Sequence, residues 1–359
     1  MIGNRIKQAR KASGLSLRAL AEKVNISAMA ISKYENDQSI PSSGVLIELS
    51  KALGVRGEYF YRSEEIELKN VEYRKHSALP KKIQNQIEGN VIEQLERYFE
   101  LEKFLPSRPI QEFQIPKSIP KNINDYSDIE NVADILREAW GLGVNPIAEL
   151  TDMLEERGIQ VFQSDVLDDD KFDGLAVMVD SVPVIVVGKG KGWKGDRQRF
   201  TLAHELGHFI LEGRIDKNKL DIEKAANRFA GAFLVPESEA KKELGEKRSW
   251  FEPKELYVLK HAYGFSMGGW LHRAHELEII SDQNYKRMVI FFRKQGWHKD
   301  EPGEQLPSEK PQLFEQLVFR ALAEDLIGES KAAELLGISV RDFRDIRRNM
   351  ERAEDINHQ

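Results

Sequence analysis

Between Phe200 and Leu211 the chain reads FTLAHELGHFIL, and this stretch limits what the rest can build. Residues four apart on an α-helix lie one turn above each other on the same face, so His204 and His208 aim their imidazoles at one point. Glu205, one step round the helix, stands beside that point, where it can take a proton from a water activated by a metal. Phe200, Ala203, Leu206, Gly207, Ile210 and Leu211 recur at three- to four-residue spacing, the pattern of a buried helix. Gly207 leaves room for another element to come close. A catalytic zinc takes three protein ligands and keeps one position open, so a third ligand is expected downstream. The next helical stretch, Asp221–Pro236, offers Glu223. Asn227 follows one turn later on the same face, and Ala226, Phe229, Ala230 and Phe233 form the apolar stripe.

The H-E-x-x-H spacing is that of zinc-dependent peptidases. RFTLAHELGHFIL, followed by E-x-A-A-N-R-F-A-x-x-F-L-V-P, resembles the ImmA/IrrE family of zinc metallopeptidases, from about Ile129 to Trp297. The resemblance implies a thermolysin-like core, Zn²⁺ as cofactor and Glu223 as the third ligand beside His204 and His208. It also implies that Glu205 is the catalytic residue, and that the target is a DNA-binding repressor to be cleaved or inactivated. Manganese or iron would suit the same ligands. A pure binding scaffold has no need of Glu205, so the complete constellation argues for chemistry.

Charge points to a second activity. The chain of 359 residues has net charge −6, yet residues 1–56 hold nine Lys/Arg against four Asp/Glu. Such an asymmetry suits a polyanionic partner. The same residues read as short helices: Ile2–Ala12 with Ile6 and Ala9 inward and Arg5, Lys7, Arg10 and Lys11 outward, then Leu17–Val24 capped by Ser16. Ser27 caps Ala28–Asn36, and Ser42 opens a fourth helix. Two short helices across a tight turn form the helix-turn-helix pattern. The text ISAMAISKYENDQSIPSSGVLIELSKALGV resembles the XRE/Cro-type DNA-binding domain over residues 2–56. That resemblance implies double-stranded operator DNA as a partner and Ala28–Tyr34 as the recognition helix. Leu17 and Ala28 stand where family members often carry glutamine or arginine. The residues left to touch DNA are Arg18, Ser27, Ala28, Met29, Ser32 and Lys33, suited to phosphates or a thymine methyl. Specificity is therefore expected to be weak and to gain from homodimerisation.

The expected fold class is α+β and mostly helical. It comprises an N-terminal all-α helix-turn-helix domain (1–60), a helical connector with a proline-containing linker (61–127), a zincin-like metallopeptidase domain with a small β-sheet (128–297) and a C-terminal helical domain (298–359). Within the connector, Glu64–His76 is highly charged. Ile83–Leu105 sets Ile87, Val91, Leu95, Tyr98, Glu102 and Leu105 on one stripe of an amphipathic helix, before Pro106, Pro109, Pro116 and Pro120. In the third region, helices are expected over Asp128–Leu142 and from Asn145-Pro146 to Arg157. Ile159–Gln163 reads as a strand, and Leu175–Val179 with Val184–Val187 as a hairpin. An edge strand beside a metal helix can hold an extended substrate by main-chain hydrogen bonds. The acidic loop Asp165–Asp173 lacks the terminal glutamate of a calcium loop, and the glycine-rich 188–195 lacks the Lys-Ser/Thr of a P-loop.

Two further stretches look like helix-turn-helix units: HAYGFSMGGWLHRAHELEII, with His261, His272 and His275, and Ser330–Leu336 with Val340–Met350 across Gly337-Ile338-Ser339. His272 and His275 read as surface residues of an amphipathic helix rather than as a second metal site. Arg341, Arg344, Arg347 and Arg348 on the last helix suit either protein docking or nucleic acid. No run reaches the about eighteen apolar residues of a membrane span, since Gly174–Gly188 is broken by Asp180, Ser181 and Pro183. The first residues lack the apolar core of a signal peptide, and there is no cysteine, which fits a cytoplasmic protein without membrane contact. Two functions follow as expectations. One is a DNA-binding regulator that cleaves a specific protein with zinc. The other, implied by similar fusions, is an antitoxin that sequesters a cognate toxin and autoregulates.

Overall fold

The structure, a computed structural model, describes residues 2–61, 80–107, 110–164, 174–179, 181–189 and 193–356, with side chains described to Asn349. The charged Glu64–His76, the acidic Asp165–Asp173 and residues 190–192 of the glycine-rich stretch lie outside them. The described residues fall into two compact units, one of 2–61, 80–107 and 312–356, the other within 110–311.

The first unit opens with α1 (Ile2–Ala12), α2 (Leu17–Val24), α3 (Ala28–Glu35), α4 (Ser43–Leu53) and a 3₁₀ turn at Gly57–Tyr61. Serines start three of these helices as the spacing predicts. Ser16, Ser27 and Ser42 accept from the backbone N–H of Ala19, Ala30 and Val45 at 3.1, 3.1 and 3.4 Å. Ile6, Leu20, Ala21, Ile31 and Leu49 close a small core. The guanidinium of Arg10 grips Glu35 of α3 with two bonds, 2.6 and 2.9 Å long. Next comes α5 (Lys81–Glu102), whose Ile87, Val91, Leu95 and Tyr98 are buried as expected. It packs on α1 so closely that a Cβ on Gly89 would stand 2.3 Å from Ala12 Cβ. One expectation is corrected here. Arg5 points inward, 1% exposed, and donates to Glu96 of α5 at 2.5 Å. The helices α14 (Leu313–Ala323), α15 (Glu329–Leu335) and α16 (Val340–Ile356) complete this unit, with α14 and α15 also resting on α5.

The second unit holds α6 (Tyr126–Ala139), α7 (Leu150–Glu156), β1 (Gln160–Ser164), β2 (Gly174–Val179), β3 (Val182–Gly188), α8 (Gly195–Leu211), α9 (Ile222–Leu234), α10 (Glu237–Leu244), α11 (Pro253–Tyr263), α12 (Met267–Glu276) and α13 (Asp282–Lys294). The sheet order is β1-β3-β2, with β3 parallel to β1 and antiparallel to β2, so the predicted hairpin and strand both form. Ala176 and Val161 both pair with Ile185 of the central strand. The predicted helix from Asn145 starts only at Leu150. Two buried arginines hold the intervening backbone open. Arg137 donates to the carbonyls of Gly143 and Asn145 at 2.7 and 2.6 Å, and Arg199 to those of Ile147 and Ala148 at 2.5 and 3.1 Å. A carbonyl spent on a guanidinium is lost to the helix ladder. Among the described residues, no helix is long and apolar enough to cross a membrane.

Candidate metal centre

The centre stands where α8 meets α9. Seventeen residues long, α8 is buried along most of its length and packs against both β2 and β3. Its first turn is covered by an extended segment: Gly195 N donates to Leu306 O at 2.8 Å, and Gln198 bonds both the N–H and the carbonyl of Glu309, at 2.7 and 2.9 Å. The carboxylate of Glu309 accepts from Arg199 and, at 2.6 Å, from Thr151 N. The backbone of α7 and side chains of α8 and β1 thus share one anchor, since Gln163 also donates to Glu309 O at 2.8 Å. Residues 296–305 read from sequence as a hydrophilic break, yet Glu301 and Gln305 pair at 2.9 and 3.0 Å with Lys260, which is fully buried.

Asp221 caps α9 by accepting from Glu223 N and Lys224 N, both at 2.9 Å. Small residues let α9 approach α8. At Gly207 a Cβ would lie 2.9 Å from Phe229 Cδ1 and 3.4 Å from Ala226 Cα, so only glycine leaves room. This close crossing brings the carboxylate of Glu223 to the two histidines. His204 Nε2 and His208 Nε2 stand 3.0 Å apart, and the Glu223 oxygens lie 3.4 Å from the first and 3.6 Å from the second. Among the described residues, these three form the one group of His, Asp and Glu whose donor atoms converge, all within 4.8 Å. For an ion with tetrahedral ligands about 2.0–2.1 Å away, neighbouring donors stand about 3.3 Å apart. The residues therefore fit zinc, with two nitrogens, one carboxylate and a fourth direction left open.

Asn227, one turn beyond Glu223, sets the orientation. Its Oδ1 lies 2.9 Å from His204 Nδ1, so that nitrogen carries the proton and Nε2 turns its lone pair to the cluster. The sequence places Asn227 on the right face; its partner emerges only from the fold. Glu205 is buried at 7% exposure, and a Cβ on Gly174, at the start of edge strand β2, would lie 3.8 Å from its Cγ. Among the described strands β2 lies at an edge of the sheet, and it begins near Glu205. A cavity of about 1010 Å³ is lined by Lys224 and Asn227 and reaches His272 and His275. None of His204, Glu205, His208 and Glu223 lines it, so it adjoins the centre only through Asn227. His272 and His275 are engaged otherwise, with Tyr285 Oη at 3.2 Å and Asp282 at 2.5 Å.

At the N-terminal module, Met29 is 70% exposed and Ser27 and Lys33 are exposed, while Ala28 and Ser32 are half-buried on the same face of α3. Arg18, near the start of α2, is exposed.

Comparison with known proteins follows the same division. Residues 6–60 match the family model for the helix-turn-helix, and residues 154–275 that for the IrrE N-terminal-like domain. The chain joins a helix-turn-helix domain to an IrrE N-terminal-like domain. The HTH-type transcriptional regulator ImmR of Bacillus subtilis (strain 168) is 35% identical over 69 residues, 19% of this chain and 54% of the relative. The chain thus spans about half the length of that curated relative. The apo form of ComR from S. thermophilus aligns over 100% of this chain and 99% of its own, at 13% identity and a TM-score of 0.17, too low to speak for the fold.

Proposed function

We propose that this chain is a DNA-binding transcriptional regulator with a zinc-dependent endopeptidase centre that cleaves a specific protein. The observation that carries the reading is the convergence of His204, His208 and Glu223 beside a buried Glu205. His204, His208 and Glu223 would hold zinc, which would supply Lewis-acid chemistry at a peptide carbonyl and its attacking water. Glu205 takes the water's proton and returns it to the leaving amine. Asn227 holds His204 in the tautomer that presents Nε2, and the free edge of β2 lines up an extended substrate by main-chain bonds. Through Arg18, Ser27, Ala28, Met29, Ser32 and Lys33 the helix-turn-helix contacts operator DNA, as a homodimer. The IrrE-like domain match and the regulator ImmR support this pairing of roles.

The test uses the zinc-loaded full chain, mixed with the product of the gene beside its own, with intact masses followed over time. Wild type is expected to make a discrete cut that Glu205→Gln does not, with one zinc bound to each, whereas His204→Ala loses zinc. Cleavage by Glu205→Gln would refute the assigned role. A stable, uncleaved complex with both proteins would replace the peptidase reading with sequestration of a toxin.

A further inference from the structure

The turn between α2 and α3 recurs near the other end of the chain. Ala21-Glu22-Lys23-Val24-Asn25-Ile26-Ser27 corresponds, position for position, to Ala333-Glu334-Leu335-Leu336-Gly337-Ile338-Ser339. The geometry matches as closely as the text. Asn25 and Gly337 take the left-handed conformation, with φ of 55° and 72°. Ile26 N donates to Ala21 O and Ile338 N to Ala333 O, both at 3.0 Å. Ser27 caps α3 by accepting from Ala30 N at 3.1 Å, and Ser339 caps α16 by accepting from Asp342 N at 3.0 Å. Four residues after each serine, Ile31 and Phe343 are fully buried. Both α1 and α15 lean on α5, and a Cβ on Gly337 would meet Arg97 Nη1 of that helix at 2.5 Å.

A third copy serves as a contrast. Gly264 (φ 63°) and Ser266 join α11 to α12 in the same way, with Ser266 accepting from Gly269 N at 2.9 Å and Trp270 fully buried. There the positions equivalent to Ala28 and Ser32 are Met267 and Leu271, at 0% and 2% exposure. Glu301 also occupies the backbone N–H groups of Met267 and Gly268. That face is core. On α16, by contrast, the Ser32 position holds exposed Arg344 and the Ala28 position half-buried Val340, with Ser339 and Arg341 exposed at the positions of Ser27 and Met29.

We propose that α15 and α16 form a second reader of double-stranded DNA, with Ser339, Arg341 and Arg344 facing the major groove. This site shares no residue with the metal centre or with the N-terminal module. Its chemistry differs from that of α3. Arginine bonds guanine O6 and N7 in pairs, which methionine and serine cannot do, so the second reader selects a G·C-containing half-site. Arg347, one turn on, reaches phosphate. Glu329 accepts from Arg344 at 2.9 Å and from Arg347 at 2.7 Å, but these are open, solvent-screened pairs that a base or phosphate displaces at little cost. Asp342 is engaged with Ser339 Oγ at 2.6 Å as part of the cap. Asp345 is exposed and opposes phosphate, so the face binds through base contacts more than through bulk charge.

The test selects sites for the full chain from duplexes with a randomised core, then measures affinity by anisotropy across a salt series. Wild type is expected to select a bipartite site. Arg341→Ala/Arg344→Ala should lose base preference in one half only, weaken binding roughly tenfold to a hundredfold, and keep its helical spectrum and melting temperature, because both side chains are exposed. In a Met29→Glu/Lys33→Glu background the preference for the other half should survive and depend on Arg341. An Arg341→Ala/Arg344→Ala protein with unchanged site, affinity and salt slope would overturn the proposal and leave the face to a protein partner. Failure of wild type to bind any duplex would overturn it together with DNA reading by α3, whereas loss of binding confined to the Met29→Glu/Lys33→Glu protein would overturn it alone.

Discussion

Gly207→Ala sets two effects of similar size against each other. Within a helix, replacing glycine by alanine stabilises by roughly 1 kcal/mol through lost chain freedom. Here the new Cβ would lie 2.9 Å from Phe229 Cδ1, where carbon atoms rest at about 3.5–4.0 Å. Phe229 cannot swing aside, because it is fully buried and stacked on Phe233 with centroids 5.6 Å apart. Ala226 Cα, at 3.4 Å, blocks the backbone as well. Overpacking of this kind costs about 1–3 kcal/mol, so the net effect is a loss of up to about 2 kcal/mol. The geometry adds a second consequence. To relieve the contact α9 must retreat by several tenths of an ångström, carrying Glu223 away from His204 and His208. Metal ligands tolerate roughly 0.2 Å, so zinc affinity should fall at least about tenfold. Calorimetric melting with and without zinc, and competition with a chromophoric chelator, read the two effects separately. Gly44→Ala in α4 is the control: no atom stands within 4 Å of the new Cβ, so it should stabilise. A Gly207→Ala protein that behaves like Gly44→Ala, with unchanged zinc affinity, would refute the argument.

Asn227→Ala removes the acceptor of His204 Nδ1 and should weaken zinc binding about 10- to 100-fold with little change in apo stability; unchanged affinity by chelator competition would count against its orienting role. Burial alone would push the Glu130 carboxyl up, but the hydrogen bonds and charge of Arg273, 2.5 Å away at both oxygens, together with Arg228, hold it below its usual value of 4.5. Glu130→Ala leaves the buried Arg273 without that partner and should cost about 3–5 kcal/mol. Because the folded value is the lower one, that margin is full above about pH 4.5 and is lost as the pH falls through the depressed value, which denaturant titrations of both proteins across pH 2–7 would follow. A margin that does not vary with pH would exclude the ion pair as its source.

Much of this molecule was legible because its signals are local. The two histidines and Glu205 lie within one helical turn or so, and Ser16, Ser27 and Ser42 sit directly before the helices they cap. Helical spacing also placed Ile87, Val91 and Leu95 on the buried stripe of α5. What periodicity misjudges is charge, because it sends charged residues to solvent by default. Arg5 goes inward to meet Glu96, 91 residues away, and Arg137 and Arg199 go inward to take the carbonyls that would have begun a helix at Asn145. Lys260 is the same case, going inward to meet Glu301 and Gln305 of a stretch that reads as a polar break. Partners so far apart in sequence leave no spacing to read.

The same limit explains how three similar turns part company. Each satisfies the local rules for two helices joined through a left-handed residue and a capping serine, at Asn25 and Ser27, Gly264 and Ser266, and Gly337 and Ser339. Local rules specify the shape of the turn but not which face of the second helix stays open. That is decided by what packs on it. In α12 the outward positions hold Met267 and Leu271 and are drawn into the core. In α16 the same two positions hold Val340, half-buried, and Arg344, which stays exposed and paired with Glu329. The clearest like-for-like difference is one position, buried Leu271 in α12 against exposed Arg344 in α16, so polarity there helps sort a shared scaffold into packing element or surface reader. Leu271→Arg would place an unpaired cation in the core and should unfold the second unit, while Arg344→Leu at the equivalent, exposed position should leave the first unit folded; circular dichroism melts of the two proteins compare them directly.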